Sequence, residues 1–198
     1  MDRPTLYITR LLPQPVLDAI PRHYHRLTEP TDRPPTAEEL RRGFAEADAV
    51  ICTLTDRIDA SLLAHAKNLK IIANYAVGYN NIDVSAATQR SMIVTNTPDV
   101  LTDATADLTW ALLLAVSRRV VEGDSWVRTG NWPGWTPTQL LGADVSGKTL
   151  GIVGMGRIGQ AVAQRASGFR MSVIYAGRHP VPTPPGLTWK WQPLDEVL

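Results

Sequence analysis

Apolar and polar positions alternate in short blocks along the first hundred residues, and each block carries its own boundary. Strand-like runs at "LYIT" (Leu6–Thr9), "YHRLTE", "AVICTL" (Ala49–Leu54), "LKIIANYA" (Leu69–Ala76) and "MIVTNT" (Met92–Thr97) are separated by helical patterns. The helices are read at Pro13–Ile20, Thr36–Ala47, Asp59–Ala66 and Asn81–Arg90. Proline in the first turn favours the first of them. Thr36 followed three residues on by Glu39 is a capping box for the second. Apolar strands alternating with short helices predict a parallel sheet covered on both faces.

The rhythm then changes. Thr102–Arg128 reads as one long helix capped by Thr102 or Asp103. Ala106–Val116 is apolar nearly all round and is expected to be buried; the half carrying Arg118, Arg119, Glu122 and Asp124 is expected to reach solvent. A Gly/Pro/Trp-rich stretch follows without a clear period. Its two tryptophans are expected to contact something, because exposing them is costly. A second α/β unit starts at Lys148: strand "KTLGIVG", helix "RIGQAVAQRAS" stopped by Gly168, strand "MSVIYA", a proline-rich connection, a third strand at "LTWKW" and the start of a helix at "PLDEVL".

Composition adds only bounds. The 198 residues, 44% hydrophobic and 20% charged with net charge +1, are ordinary for a globular protein and point to neither nucleic acid nor a membrane as partner. The N-terminus has no apolar signal core, and "WALLLAV" is too short to span a bilayer. The single cysteine, Cys52, cannot form an internal disulfide and reads as an inert core residue. A cytoplasmic setting is expected.

The chemistry is concentrated in "GIVGMGRIGQ", which fits G-x-G-x-x-G between a strand and a helix. Gly154 permits the tight turn, Gly156 the approach of a pyrophosphate, and Gly159 close helix–strand packing. The amides of Arg157 and Ile158 face the same anion at the positive helix end. The following strand ends in "YAGRHP", with no acid to bind a ribose 2′-hydroxyl. Gly177 leaves space, Arg178 suits a 2′-phosphate and His179 can assist, so NADP(H) is favoured, with NAD(H) as the alternative.

Taken together, "NYAVGYNNIDVSAAT", "VTNTPDVLTDATADLTWALLLA", "GKTLGIVGMGRIGQAVA" and "YAGRHP" resemble the D-isomer-specific 2-hydroxyacid dehydrogenases, most closely the glyoxylate/hydroxypyruvate reductase branch. The resemblance implies an α/β protein with a flavodoxin-like substrate lobe followed by the first half of a Rossmann-type dinucleotide-binding domain. The expected division is residues 1–98 for the substrate lobe, 99–146 for the crossover helix and dimerisation arm, and 147–198 for the incomplete cofactor domain. It further implies that Ala76, Val77 and Gly78 line the substrate site, that amides of Val77 and Gly78 hold the carboxylate of a small 2-oxo or 2-hydroxy acid, and that Leu54 forms another wall. Thr105 is placed near the nicotinamide. Trp135, on a 125–141 arm, is placed at the partner's site in a homodimer. The family's arginine, glutamate and histidine lie in "ARG"-like and "PHIGS"-like segments that this sequence does not contain. No catalytic residue is assigned, no metal site is expected from His23 and His25, and the chain alone is expected to be inactive. A non-catalytic dinucleotide-binding or dimerising module is the alternative. The last strand is expected to leave an apolar edge.

Overall fold

A computed structural model describes residues 3–198, and they divide into two compact units, one ending at Pro98 and the other spanning Asp99–Leu198. The first unit is built on five parallel strands: β1 (Thr5–Ile8), β2 (His25–Arg26), β3 (Ala49–Cys52), β4 (Ile71–Asn74) and β5 (Ile93–Thr95). Their order, β2-β1-β3-β4-β5, is that of flavodoxin-like sheets. Four helices connect them: α1 (Gln14–Ala19), α2 (Ala37–Glu46), α3 (Ala60–Leu63) and α4 (Val84–Gln89).

The helix starts follow from local chemistry. Thr36 and Glu39 form the reciprocal capping box at α2. Asp59 and Asp83 accept from Leu62 N and Ala86 N at α3 and α4, satisfying amides that the first turn leaves free. One core joins Tyr7, Phe44, Val50, Cys52, Ile58, Leu63 and Ile72 on one side of the sheet; a second gathers Leu6, Ile8, Leu12 and Leu17. Gly43 is needed where α2 crosses β1, because a Cβ there would run into the Tyr7 ring.

The second unit opens with α5 (Thr102–Ser117) and α6 (Val120–Arg128). The single helix expected over Thr102–Arg128 is therefore two. Arg119 takes a left-handed conformation (φ 53°), and the Ser117 carbonyl accepts from Ala143 N at 2.8 Å rather than continuing the helix ladder. Leu101 takes the cap position of α5 without a side-chain bond, so neither Thr102 nor Asp103 caps it. Asp103 instead pairs with Arg165.

Burial of α5 also departs from expectation. Ala106 and Trp110 are buried, but Leu108, Leu112 and Val116 are exposed. The buried stripe is the one that packs on α7 (Arg157–Arg165): Trp110 stacks on Phe169 with ring centroids 4.6 Å apart and donates Nε1 to Val162 O at 3.0 Å. Trp132 and Trp135 are likewise exposed, Trp135 at 79%.

Three parallel strands, β6 (Thr149–Val153), β7 (Ser172–Ala176) and β8 (Trp189–Trp191), lie in the order β6-β7-β8, followed by α8 (Leu194–Val197). This is one wing of a doubly wound sheet. Because β7 is central, β6 is an edge as well as β8, and Val153 on β6 is exposed. Helix α7 does not stop at Gly168: a 3₁₀ turn, Ala166–Phe169, carries it to Arg170, whose left-handed φ of 54° ends it. No helix among the described residues is long and apolar enough to cross a membrane.

Candidate functional site

In the second unit the glycine motif forms a turn between β6 and α7. Gly154 has φ 97°, a conformation that favours glycine. Gly156 occupies the N-cap of α7, and a Cβ added to it would meet nothing within 4 Å. Gly159 is different: a Cβ there would collide with the Gly154 carbonyl, so the helix sits against the turn. The three glycines thus serve a turn, an open approach and a close packing. Among the described residues the amides of Arg157 and Ile158 donate to no protein acceptor, as expected at a helix start. The Arg157 side chain pairs with Asp99 at 2.7 Å, so its guanidinium already has an acidic partner.

Gly154 and Gly156 share a cavity of about 700 Å³ with Gly177, Arg178 and His179. Arg178 makes no ion pair among the described residues. The cavity also takes in Met155, Trp191, Gln192, Pro193 and Leu194, which the motif did not mark. Apart from Met155, they come from the end of β8 and the start of α8, and their only sequence signal is an apolar cluster after a short strand. The donor set suits an anionic dinucleotide: open glycine backbone and free amides for a pyrophosphate, and an acid-free turn with a guanidinium for a further phosphate.

Thr105 lies in the first turn of α5, where its carbonyl accepts from Thr109, and does not line this cavity; neither does Trp135. In the first unit, Ala76–Gly78 follow β4. Among the described residues the Val77 and Gly78 amides donate to no protein group. Their carbonyls are held instead: Asn96 Nδ2 donates to Val77 O at 2.8 Å, and Asn74 Nδ2 to Gly78 O at 2.7 Å. Leu54 is exposed and borders a hollow with Asn80 and Asn81, two and three residues beyond Gly78.

A polar network beneath this loop escaped the sequence reading. Asp56, 3% exposed, accepts from the Thr9 hydroxyl at 2.5 Å, Thr53 N at 2.7 Å and the Thr53 hydroxyl at 3.1 Å. Asn81 Nδ2 donates to the Asp56 and Thr53 carbonyls. The available signal was Asn74, a polar residue closing the apolar run "KIIAN". Cys52, in the core beside Asn74, has its thiol pushed up to about 12 by burial and by the nearby Asp56 charge, which makes it a poor nucleophile. His23 precedes β2 and His25 lies on it, both exposed; no group of three metal-binding side chains occurs among the described residues.

A parallel α/β chain with a glycine turn beside an acid-free strand end has the geometry of the dinucleotide-binding folds. The D-isomer specific 2-hydroxyacid dehydrogenase, catalytic domain, matches residues 7–178, and the chain belongs to that family. A glyoxylate reductase of Thermococcus gammatolerans is 46% identical over 201 residues, covering 99% of this chain and 60% of that protein. The TT0316 protein of Thermus thermophilus superposes with a TM-score of 0.91 at 47% identity, over 98% of this chain and 61% of that one. An NADPH-dependent glyoxylate/hydroxypyruvate reductase of Sinorhizobium meliloti, in complex with NADP and malonate, gives 0.76 at 31% identity, over 96% and 57%. The chain thus spans about 60% of the length of the first of these relatives.

Proposed function

We propose that this chain carries the substrate lobe and dinucleotide cradle of an NADP(H)-preferring cytoplasmic reductase, which converts a small 2-oxo acid such as glyoxylate or hydroxypyruvate into the D-2-hydroxy acid. The observation that carries the reading is one cavity holding both the open glycine turn and the acid-free Gly177–His179 turn. The glyoxylate reductase of Thermococcus gammatolerans and the NADPH-dependent reductase of Sinorhizobium meliloti support the substrate and cofactor class.

In this reading residues 1–98 form the substrate lobe, 99–146 the crossover helix and arm, and 147–198 the cofactor-binding part. Gly154, Gly156 and Gly159, with the amides of Arg157 and Ile158, hold the pyrophosphate. Gly177, Arg178 and His179 receive the 2′-phosphate. Thr105 serves the nicotinamide end. When bound, the cofactor supplies the hydride for C2 of the acid. The free amides of Val77 and Gly78 hold the acid's carboxylate, with Ala76, Leu54 and a partner's Trp135 bordering it. A homodimer covers the 125–141 arm, a role supported by exposed Val127, Trp132, Trp135 and Leu141.

The chain by itself binds the dinucleotide but does not turn over the acid. In this reading His23, His25 and His65, exposed in the first unit, and His179, in the nucleotide turn, are assigned no general acid/base role. Calorimetric titration tests this directly. NADPH is expected to bind at least about tenfold more tightly than NADH, the scale of one charge-assisted contact. Gly156→Val, whose side chain enters open space, is expected to abolish binding and, because valine is a poorer N-cap than glycine, to lower the Tm by no more than about 4 °C. Equal affinities refute the NADP(H) preference, and no binding of either nucleotide refutes the cradle. Oxidation of NADPH by glyoxylate with the pure chain refutes the assigned inactivity and the alternative of a non-catalytic dinucleotide-binding module.

A further inference from the structure

The Gly177–His179 turn is fastened at both ends. At its start, Trp191 at the end of β8 donates its indole Nε1 to the Gly177 carbonyl at 3.1 Å. Just beyond its other end, Val181 N donates to the hydroxyl of Tyr175 at 2.8 Å. Both anchors belong to the sheet: Tyr175 on β7 is buried and pairs with Trp191 in the β7–β8 register, and Gln192 N donates to Tyr175 O at 2.9 Å. Arg178 and His179 are thus exposed on a short backbone segment clamped by two aromatic side chains. Trp191 is 42% exposed and lines the same cavity as Gly154, Gly156 and Arg178. The other tryptophan of the strand, Trp189, is buried in the core. Core packing therefore accounts for Trp189 and leaves much of the Trp191 ring free toward the cavity.

We infer that Trp191 is a positioning residue for selection of a 2′-phosphorylated adenosine. Its N–H fixes the Gly177 carbonyl, so Arg178 is presented from an ordered turn and little conformational entropy is lost when its guanidinium meets a phosphate. Its ring face offers the flat apolar wall that a purine stacks on. The inference rests on the dinucleotide reading above and adds a residue that the glycine motif and the Arg178 turn do not contain.

The test separates latch from wall and both from the underlying reading. Adenosine 2′,5′-bisphosphate and adenosine 5′-monophosphate differ only in the 2′-phosphate, and both are titrated calorimetrically into the 198-residue chain. Trp191→Phe keeps an aromatic face and removes the N–H. It is expected to weaken the bisphosphate about fivefold, the scale of one hydrogen bond, and to leave the monophosphate within about twofold. Trp191→Leu is expected to weaken both ligands. The indole N–H resonance missing from Trp191→Phe is expected to shift on adding the bisphosphate to the wild-type chain. Arg178→Ala reports on the reading itself and is expected to erase the wild-type preference. A wild-type ratio in Trp191→Phe overturns the latch, and Arg178→Ala then shows whether the reading survives. Equal weakening of both ligands by Trp191→Phe is a merely structural effect and also overturns it. A wild-type chain without preference overturns reading and latch together.

Discussion

The two units each bury a core but differ in how much apolar surface they leave uncovered. The first encloses polar groups as well: Asp56, Asn74 and Thr9 are buried with partners, and its sheet has a core on each side. The second unit packs a core around Trp110 and Tyr175 but displays far more apolar side chains. Leu108, Leu112 and Val116 on α5, Val120, Val121 and Val127 on α6, the two arm tryptophans and Val153 on β6 are all exposed. The five-stranded sheet with helices on both faces leaves Ile93 on its edge strand and a few loop side chains exposed, whereas three strands and two successive helices leave whole apolar faces open among the described residues. Apolar surface therefore reports burial only when the partner surface is present.

The chain carries separate probes for the two halves of this comparison. Its single cysteine lies in the first unit, and all six tryptophans lie in the second. The largest expected effect breaks the closed unit. Gly43→Val drives a branched side chain into the Tyr7 ring, whose Cγ would lie 2.7 Å from the new Cβ, and overpacking of this kind costs about 3 kcal/mol. Cys52 is expected to react with a thiol reagent at neutral pH in this variant and to resist it in the wild type, where burial holds the thiol protonated. A Cys52 that stays unreactive in Gly43→Val would show that the crossing of α2 over β1 relaxes.

A smaller effect tests the open unit. Leu112→Glu with Val116→Glu adds charge to the exposed face of α5 and removes nothing from the core around Trp110. If a second copy covers that face, sedimentation will show the wild type as a dimer and the variant as a monomer. A monomeric wild type would leave the face unexplained by self-association.

The smallest effect is electrostatic and lies on the surface of the first unit. The Arg33 guanidinium, hydrogen-bonded to Glu39, together with the Thr36 amide holds the Glu39 carboxyl down to about 2 from its ordinary 4.5. A depressed carboxylate stabilises the fold above its unfolded value and loses that contribution as the pH falls from about 4.5 toward about 2. The pair is exposed, so solvent screening keeps the change small. Glu39→Gln is expected to flatten this part of the thermal-melting profile, followed by circular dichroism; an unchanged slope would mean that the pair contributes nothing.

Much of the fold was legible because short-range rules governed it. The strand–helix alternation, the Thr36–Glu39 box and the glycine motif with its flanking strand and helix each depend on residues a few positions apart. The errors came where distant groups intervened. The stop at Arg170 in place of Gly168 is the local exception, a 3₁₀ turn closed by a left-handed residue. Elsewhere, the break after Ser117 involves an amide at Ala143, and the cavity wall at Trp191 belongs to a strand separated from the glycine turn by more than thirty residues. The Asp56 network was invisible for the same reason: its members come from the end of β1, from the turn after β3 and from the loop beyond β4.

By itself the amino-acid sequence determined the parallel α/β class, the glycine turn and the acid-free "GRHP" end, because backbone conformation and anion affinity are set locally by glycine, charge and periodicity. Tertiary structure alone decided which apolar positions are covered, which carbonyls the asparagines grip and which aromatic latches the Arg178 turn. Those outcomes depend on the distance between groups far apart in the chain, and only the packed sheet brings those groups within hydrogen-bonding reach.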